Sequence, residues 1–373
     1  MPITLDGSNG ITTPTYGGAD TSEYLVPVTA FKNRLINSDM RIDQRNAGAS
    51  VTLTNTDNRY PVDRFGGYED TDGVMTAQRD TSAPSGFINS IKFTTTTADA
   101  SLGASQFVTA FQNIEGLNVA DLAWGTANAK TVTLSFWVRS SLTGTFGGTL
   151  TNSAGTRSYP FSYAISSADT WEQKTITVAG DTTGTWLTDN GIGIRVRFGL
   201  GAGSTFSGTA GAWTGSNLFS STGAVSVIGT LNATWYITGV QLEVGSTATS
   251  FDYRPYSQEL ALCQRYYFKI GNVTNSRIGW GHNNLTTQAV INTIFPVSMR
   301  TSPTALEQSG TASDYDINHA NTVTVCSSVP TIAAANQSLA TTLFNVASGL
   351  TVGQASNARA LNTSAYLAWS AEL

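Results

Sequence analysis

The chain has 373 residues, a formal net charge of −5 and only 12% charged residues, well below the ~25% usual for soluble domains. Its 40% hydrophobic share is enough to bury cores and so argues against disorder. The absence of a Lys/Arg run argues against nucleic-acid binding, and no apolar run reaches the ~18–20 residues of a membrane helix. Residues 1–6 show no secretory signal pattern, so we expect neither membrane insertion nor signal-directed export.

The amino-terminal segment, residues 1–31, is predicted to be an extended attachment arm. It is rich in Gly and Thr and has too few apolar residues to bury a core of its own. An extended segment of this kind can add to the sheet edge of a partner or lie in its groove. The predicted virion-attachment residues are the spaced apolar ones: Ile3, Leu5, Ile11 and Tyr24.

Residues 32–256 carry a β pattern. Apolar and polar residues alternate with a period of two, the signature of half-buried strands, over 131–139, 192–200 and 236–244. The residues expected on the core face are Val132, Leu134, Phe136, Val138, Ile192, Ile194, Val196, Phe198, Leu200, Tyr236, Val240, Leu242 and Val244. Many short strands separated by polar turns predict a jelly-roll β-sandwich over 32–256.

One short helix is expected after the last of these strands. Pro255 favours an extended residue before it, Ser257 is placed as the N-cap, and Glu259 lies in the first turn. These signals predict a helix over 258–266 that links the jelly roll to the carboxyl-terminal part of the chain. Alternation then resumes, so residues 257–373 are predicted to form the linking helix and a smaller β-sandwich-like domain. The fold class is therefore all-β.

Seven sequence blocks carry a family resemblance, and the last two are the most specific. They are residues 33–46, 60–65, 133–139, 169–172, 237–245, 251–256 and 259–267. Together they resemble a phage tail-fibre module over about residues 33–271, and residues 4–11 are similar to fibre amino ends. The resemblance implies a virion fibre or related appendage, with a jelly roll like those of carbohydrate-binding domains, and it implies no enzyme.

Two pairs of residues are candidates for ligand binding. Trp186 and Trp213 lie in Gly/Thr/Asn-rich segments and could stack on sugar rings, although a tryptophan is more often buried. Arg195 and Arg197 lie two apart on one strand face. They could meet an anionic sugar, but we expect them to pair with acids on adjacent strands.

Charged residues are scarce, so their clusters stand out. For Asp39, Asp43, Arg45, Asp63 and Arg64 we expect a structural ion-paired network, and for Glu243 a structural role as well. Glycoside hydrolysis would need two facing carboxylates, one with a raised pKa. The candidates are Asp169, Glu172, Asp181 and Glu243, which the sequence alone does not pair.

Two cysteines and two histidines are the remaining candidates for chemistry. Cys263 and Cys326 do not make a disulfide framework, and with His282 and His319 they show no zinc-type spacing. We expect buried free thiols, no catalytic residue, no metal and no cofactor.

The sequence therefore predicts a phage virion structural protein, a tail fibre or adhesin that attaches by its arm and binds host-surface glycan through its β domains. We expect a homotrimer located in the virion, with other virion proteins and host polysaccharide as partners. Two alternatives remain: a capsid decoration or head-fibre protein without an adsorption role, and a polysaccharide depolymerase.

Overall fold

The computed structural model describes residues 31–373 in full and, before them, the backbone of two short strands. These strands, β1 (Thr4–Asp6) and β2 (Gly10–Thr12), pair antiparallel with each other, Leu5 opposite Ile11. Of the predicted arm anchors, Ile3 and Tyr24 lie outside the described residues, as do the side chains of Leu5 and Ile11. The chain divides into two units, residues 1–32 and 33–373, and the second contains all the other described strands.

The first part of the second unit contains thirteen strands and two short 3-10 helices, Gly116–Asn118 and Ala120–Leu122. The strands are β3 (Val51–Thr52), β4 (Gly66–Asp70), β5 (Val74–Asp80), β6 (Ser90–Thr97), β7 (Phe107–Glu115), β8 (Val132–Ser140), β9 (Gly144–Thr151), β10 (Ser158–Ile165), β11 (Glu172–Val178), β12 (Ile192–Ala202), β13 (Ser207–Gly208), β14 (Ser220–Ser221) and β15 (Thr234–Val244).

Two antiparallel sheets pack face to face to form a jelly-roll sandwich. One has five strands in the order β10-β9-β12-β7-β4, and the other has six in the order β11-β8-β15-β6-β5-β3. Their inner faces make one hydrophobic core, which includes Leu134, Phe136, Val196, Phe198 and the fully buried Trp235. The predicted all-β class and jelly roll are confirmed. The prediction rested on the alternation of apolar and polar residues, because every second residue of a strand points to the same face of its sheet.

Three predicted core positions are wrong, and the errors at Tyr236 and Ile192 have the same cause. In β15 the register slips between Thr238 and Gln241, where Gly239 takes a φ of 59°. This bulge reverses the parity of the strand, so Tyr236 lies on the outer face, against Trp171. A second register shift after Ile192 turns that side chain outward too, while Ile194 stays in the core.

Val244 is a third departure from the predicted core face. It ends β15 and is 42% exposed, although its parity matches that of the buried Leu242. A residue at the end of a strand can lie beyond the cover of the opposite sheet, so its parity alone does not bury it.

The linking helix is present but shifted. It spans α1 (Tyr256–Gln264), and Pro255 is its N-cap. Ser257 therefore lies inside the first turn, and the prediction of Ser257 as N-cap is wrong, because the fixed φ of Pro255 already starts the helix there. Glu259 is buried and accepts hydrogen bonds from the backbone N–H of Asn37 and from Arg254.

The remaining strands form a second sandwich, which also contains the 3-10 helix Ala312–Asp314. They are β16 (Tyr267–Gly271), β17 (Ser276–Leu285), β18 (Gln288–Ile294), β19 (Glu307–Gln308), β20 (Tyr315–His319), β21 (Thr322–Val325), β22 (Thr331–Ala335), β23 (Leu339–Asn345), β24 (Ala355–Ala360) and β25 (Tyr366–Ser370).

The strands of this second sandwich make a sheet of three, in the order β16-β25-β19, and a sheet of seven, in the order β21-β20-β24-β17-β18-β23-β22. Their core contains Phe295, Phe344 and Trp369. Cys326 belongs to this core, and Cys263 is a buried residue of α1; both are free thiols, as predicted. Burial raises the pKa of Cys326 to about 12.

A buried ionic network joins the first residues of the jelly roll to the end of the second sandwich. Arg45 lies 3.7 Å from Asp63 and 3.2 Å from Glu372, and Glu372 also pairs with Arg64. Asp39 pairs with Arg41, and Asp43 accepts backbone N–H groups in a turn. The predicted ion pairing is confirmed for Asp39, Arg45, Asp63 and Arg64 but not for Asp43, and the partner that the sequence did not identify is Glu372.

Candidate functional site: a cavity on the five-stranded sheet

The outer face of the five-stranded sheet carries a row of polar and aromatic side chains. In β12, the core positions alternate with outward positions, which hold Arg195 and Arg197. The outward positions of β7 hold Phe107, Thr109, Phe111 and Asn113. Across the sheet Arg195 is in register with Asn113, and Arg197 with Phe111. These neighbours form a continuous surface by strand pairing alone.

Two other parts of the chain cover this face at its sides. Strand β14 lies over the sheet where β9 and β12 carry Gly147 and Gly199; a Cβ on either glycine would come within 2.6 Å of Ser220. Glycine is therefore required there, because the covering backbone leaves no space for a side chain. On another side Leu373 lies against the sheet, and Asn113 Nδ2 donates a hydrogen bond of 2.9 Å to its main-chain oxygen.

Between these covers lies an open cavity of about 410 Å³, within the ~300–1,000 Å³ range typical of small-molecule sites. Its wall combines aromatic rings with amide groups and two guanidinium groups. The lining residues are Asn58, Tyr68, Phe107, Thr109, Phe111, Asn113, Ile192, Arg195, Arg197, Phe219 and Leu373.

The aromatic side of the cavity is a stack of rings. Tyr68 and Phe107 are stacked at 5.6 Å with an angle of 12° between their planes. The ring centre of Phe219 lies 4.3 Å from that of Phe107 and 4.6 Å from that of Phe206, on which Phe219 stacks. Tyr68 and Phe107 are half-buried, so part of each ring faces the cavity, whereas Phe219 is buried. Such a surface suits the C–H face of a sugar ring.

The two arginines give the cavity a positive charge. The guanidinium of Arg197 lies 4.3 Å from the ring centre of Phe219 and donates a hydrogen bond of 3.3 Å to Thr151 Oγ1. Burial and the neighbouring charge of Arg195 lower the pKa of Arg197 to about 9, and burial lowers the pKa of Arg195 as well. Burial is thus the main cause of both shifts, and the like charge of Arg195 adds to the shift at Arg197.

The expectation that these arginines pair with acids is wrong. Their neighbours in register are Asn113 and Thr151 for Arg195, and Phe111 and Thr149 for Arg197. None of these is acidic, and within residues 31–373 neither arginine makes an ion pair of 4.0 Å or less. The strand sequence could not reveal this, because an acid could have come from any of several strands.

The predicted tryptophan platform lies elsewhere. Trp186 and Trp213 pack edge to face with each other at 5.4 Å and with Trp124 at 4.8 and 5.3 Å. Both indole N–H groups donate to backbone oxygens. The two residues are half-buried against the core of the jelly roll and do not line the cavity that holds Arg195 and Arg197.

The four candidate catalytic carboxylates are each held by a different local partner. Arg157 holds Asp181 with two hydrogen bonds of 2.7 and 2.8 Å, and lowers the pKa of that carboxyl against the effect of its burial. Lys174 and two backbone N–H groups lower the pKa of Glu172. Asp169 pairs with Arg139. The partners of Asp181 and Glu172 stabilise the charged form, whereas a general acid needs the opposite.

The fourth carboxylate, Glu243, also has local partners. It accepts hydrogen bonds from Gln241 and from the backbone and hydroxyl groups of Thr249. In residues 31–373, no group of three or more His, Cys, Asp and Glu side chains is arranged to hold a metal ion. No helix in that range is long and apolar enough to cross a membrane.

Sequence reasoning missed the aromatic half of the cavity. A signal was present in β7, whose outward positions Phe107, Thr109, Phe111 and Asn113 alternate with core positions. For Asn58, Phe219 and Leu373 there was no such signal, because loop and tail residues reach the cavity only through tertiary packing.

No protein-family model matches the sequence, and no curated protein is significantly similar to it. Solved structures show a partial likeness. The enzymatically active domain of tailspike protein 4 of Bacteriophage CBA120 matches at 10% identity and a TM-score of 0.28, over 49% of this chain and 19% of the tailspike chain.

Two carbohydrate-binding modules match to a similar degree. The CBM22-1 xylan-binding domain from Paenibacillus barcinonensis aligns at 10% identity and a TM-score of 0.27, over 55% of this chain and 99% of its own. The family 11 module of a Clostridium thermocellum cellulase aligns at 12% identity and a TM-score of 0.27, over 55% of this chain and 100% of its own.

Proposed function

We propose that this protein is a glycan-binding phage fibre or adhesin, and that the cavity on the five-stranded sheet is its binding site. The observation that carries the proposal is the combination of stacked rings, amide groups and uncompensated guanidinium groups around one open cavity of about 410 Å³. Rings of this kind suit sugar faces, and the polar groups suit hydroxyls and charges. The resemblance of residues 33–271 to a tail-fibre module supports the virion role.

Binding without catalysis is part of the same proposal. Asp169, Glu172, Asp181 and Glu243 each have a separate partner, and none of them lines the cavity. A ligand held against Tyr68 and Arg195 would therefore have none of these four carboxylates at the cavity wall. No cofactor enters the proposal.

Each part of the chain has its own role in the proposed assembly. Residues 1–31 attach the protein to other virion proteins, and residues 32–256 bind the glycan. Residues 257–373 supply the linking helix and the carboxyl-terminal β domain. The functional form is a homotrimer in the virion. Light scattering on the purified full chain tests the trimer; a stable monomer at micromolar concentration would contradict it.

The experiment for the function is adsorption inhibition on the bacterium that the virus infects. Purified full-length protein should bind the isolated surface polysaccharide and reduce virus adsorption, and labelled antibodies should place it on the tail fibres. Antibody labelling of the capsid, with no effect on adsorption, would favour a head decoration or head fibre. Release of reducing sugar from the polysaccharide would show a depolymerase instead.

A further inference from the structure

The arginines of the cavity differ from other arginines of the protein. Arg64 and Arg157 each have a carboxylate partner, and so do Arg45, Arg265 and Arg359. Arg195 has no hydrogen bond or ion pair within the described residues, and Arg197 has one long hydrogen bond, to a hydroxyl. The two arginines thus lie two residues apart, about 7 Å along the strand backbone, and neither makes an ion pair of 4.0 Å or less within residues 31–373.

Among the described residues no Asp or Glu side chain lines the cavity, and the exposed Asp70, in register with Phe107, does not line it either. Two further acids near the cavity are engaged elsewhere. Glu115, in register with Ile192, is bound by Arg265 and by the hydroxyl of Tyr266. Glu372, next to the lining residue Leu373, pairs with Arg45 and Arg64. The positive charge of the cavity is therefore available to a ligand.

The position of Arg197 suits a planar carboxylate. Its guanidinium lies over the ring of Phe219, so one face of the group is covered. The N–H groups lie in the plane of the guanidinium and point along its edges, where a planar carboxylate can accept two parallel hydrogen bonds. Tyr68 and Phe107 lie on the same face of the sheet, where they can receive the ring that bears the carboxylate.

We infer that the cavity binds an acidic sugar, whose carboxylate lies between Arg195 and Arg197 and whose ring packs against Tyr68 and Phe107. This inference rests on the proposed glycan-binding function and names its ligand class. It makes the two arginines specificity-determining residues, which distinguish a carboxylate-bearing sugar from its neutral counterpart. A neutral sugar would leave both cations without an anion in a partly desolvated cavity.

The test uses the full chain and three sets of oligosaccharides. The first set contains glucuronate, galacturonate and sialate oligosaccharides; the second contains the same sugars with each carboxyl reduced to an alcohol; the third contains sulfated galactose oligosaccharides. We expect at least one acidic sugar to bind at least tenfold more tightly than its reduced counterpart by calorimetry. Arg195→Gln and Arg197→Gln should each remove that preference while leaving the melting temperature within a few degrees.

The matched control is Arg277→Gln. Arg277 is exposed on β17 in the second sandwich, outside the cavity, so this variant removes the same charge from the protein without altering the cavity. It should keep the full preference for the acidic sugar. Equal loss in Arg277→Gln would mean that only net charge matters, and the inference would be wrong.

The remaining outcomes distinguish a failure of the acidic-sugar inference from a failure of the proposed glycan-binding function. Binding of neutral sugars with no preference for acidic ones, in a manner that Tyr68→Leu weakens, would keep the glycan site and overturn the acidic ligand. Preference for the sulfated set over the carboxylates would overturn the carboxylate assignment. If none of the three sets binds the wild-type chain, both the inference and the glycan-binding function at this cavity fail.

Discussion

The two sandwiches use their large sheets differently. The five-stranded sheet of the jelly roll has an outer face covered at its sides by β14 and by Leu373, which leaves an open cavity between them. The seven-stranded sheet of the second sandwich has large apolar side chains exposed on its outer face. Trp280, in register with Asn292 and Asn357, is 62% exposed there, and Ile294 is 74% exposed. Within residues 31–373 no segment covers these side chains.

This difference shows that the alternating strands alone do not make a site. Both sheets place polar and aromatic residues on their outer faces. Within residues 31–373, only in the jelly roll do segments outside the sheet cover part of this face, and between them lies a cavity in which charges are partly desolvated and interact more strongly. Two questions about the sandwiches can be tested: whether they depend on each other for stability, and whether the cavity alone binds ligand.

The largest expected effect is a loss of stability when an ion pair between the two sandwiches is removed. Glu372→Ala, at the end of the second sandwich, leaves the guanidinium of Arg64 unpaired, with a side chain only 2% exposed. Removing one partner of a buried pair costs about 3–5 kcal/mol. Urea unfolding followed by tryptophan fluorescence should show this loss. Asp121→Ala, which breaks a pair at a carboxylate that is 48% exposed, should cost no more than about 1 kcal/mol.

A double variant refines this prediction. Arg64→Met combined with Glu372→Leu removes both buried charges, so it should recover part of the stability that Glu372→Ala loses. If Glu372→Ala unfolds as the wild type does, the ionic network does not link the two sandwiches.

The second effect is a pH dependence in the same network. Burial raises the pKa of Asp63 from 3.8 to about 6, although Arg45 and Gln44 act against the shift. Between these values the folded state holds a proton that the unfolded chain has released, so the free energy of unfolding falls as pH rises from about 4 to about 6, by a few kcal/mol at most. Well above pH 6 Asp63 is ionised in both the folded and the unfolded state, so the full cost of burying its charge lowers the free energy of unfolding.

The measurement is the difference in melting temperature between wild type and Asp63→Asn from pH 4 to pH 7. Because the variant cannot titrate at this position, wild type should lose stability relative to it as pH rises through this window. A difference that stays constant with pH would show that the pKa of Asp63 is not raised.

The third effect concerns ligand affinity and compares two aromatic residues. Tyr68→Leu removes a ring from the cavity and should weaken binding of the acidic oligosaccharide by about three- to tenfold, since such ring contacts contribute about 0.5–1.5 kcal/mol. Trp280→Leu removes a larger ring from the outer face of the seven-stranded sheet and should leave affinity for the oligosaccharide unchanged. Calorimetry on both variants checks this; equal losses would place ligand on both sheets.

The smallest effect is on the free protein. Arg195→Gln removes a cation that has no partner in the described residues and lies near another cation. We expect the melting temperature to stay the same or to rise, with a change in the free energy of unfolding of at most about 0.5 kcal/mol. A clear fall in the melting temperature, seen in scanning calorimetry without ligand, would mean that Arg195 stabilises the fold.

The sequence by itself determined the class of fold and much of the core. The alternation in β8 places Val132, Leu134, Phe136 and Val138 on the inner face, because neighbouring residues of a strand point to opposite sides. It also determined that Arg195 and Arg197 share one outward face. Tertiary structure decided the rest. The bulge at Gly239 reversed the parity of β15, and a strand pattern cannot locate such a bulge without its partner strand.

Tertiary structure alone also decided which charges are paired. Asp63 and Arg64 are close in sequence to Arg45, yet the carboxylate that completes their network, Glu372, lies about 300 residues away. The arginines of β12 have no such carboxylate, because the segments that reach them bring Phe219 and Leu373 instead. Whether a charge is compensated depends on contacts between distant segments. The alternation of a strand fixes only the direction of each side chain, so it could not show whether an opposite charge would lie beside it.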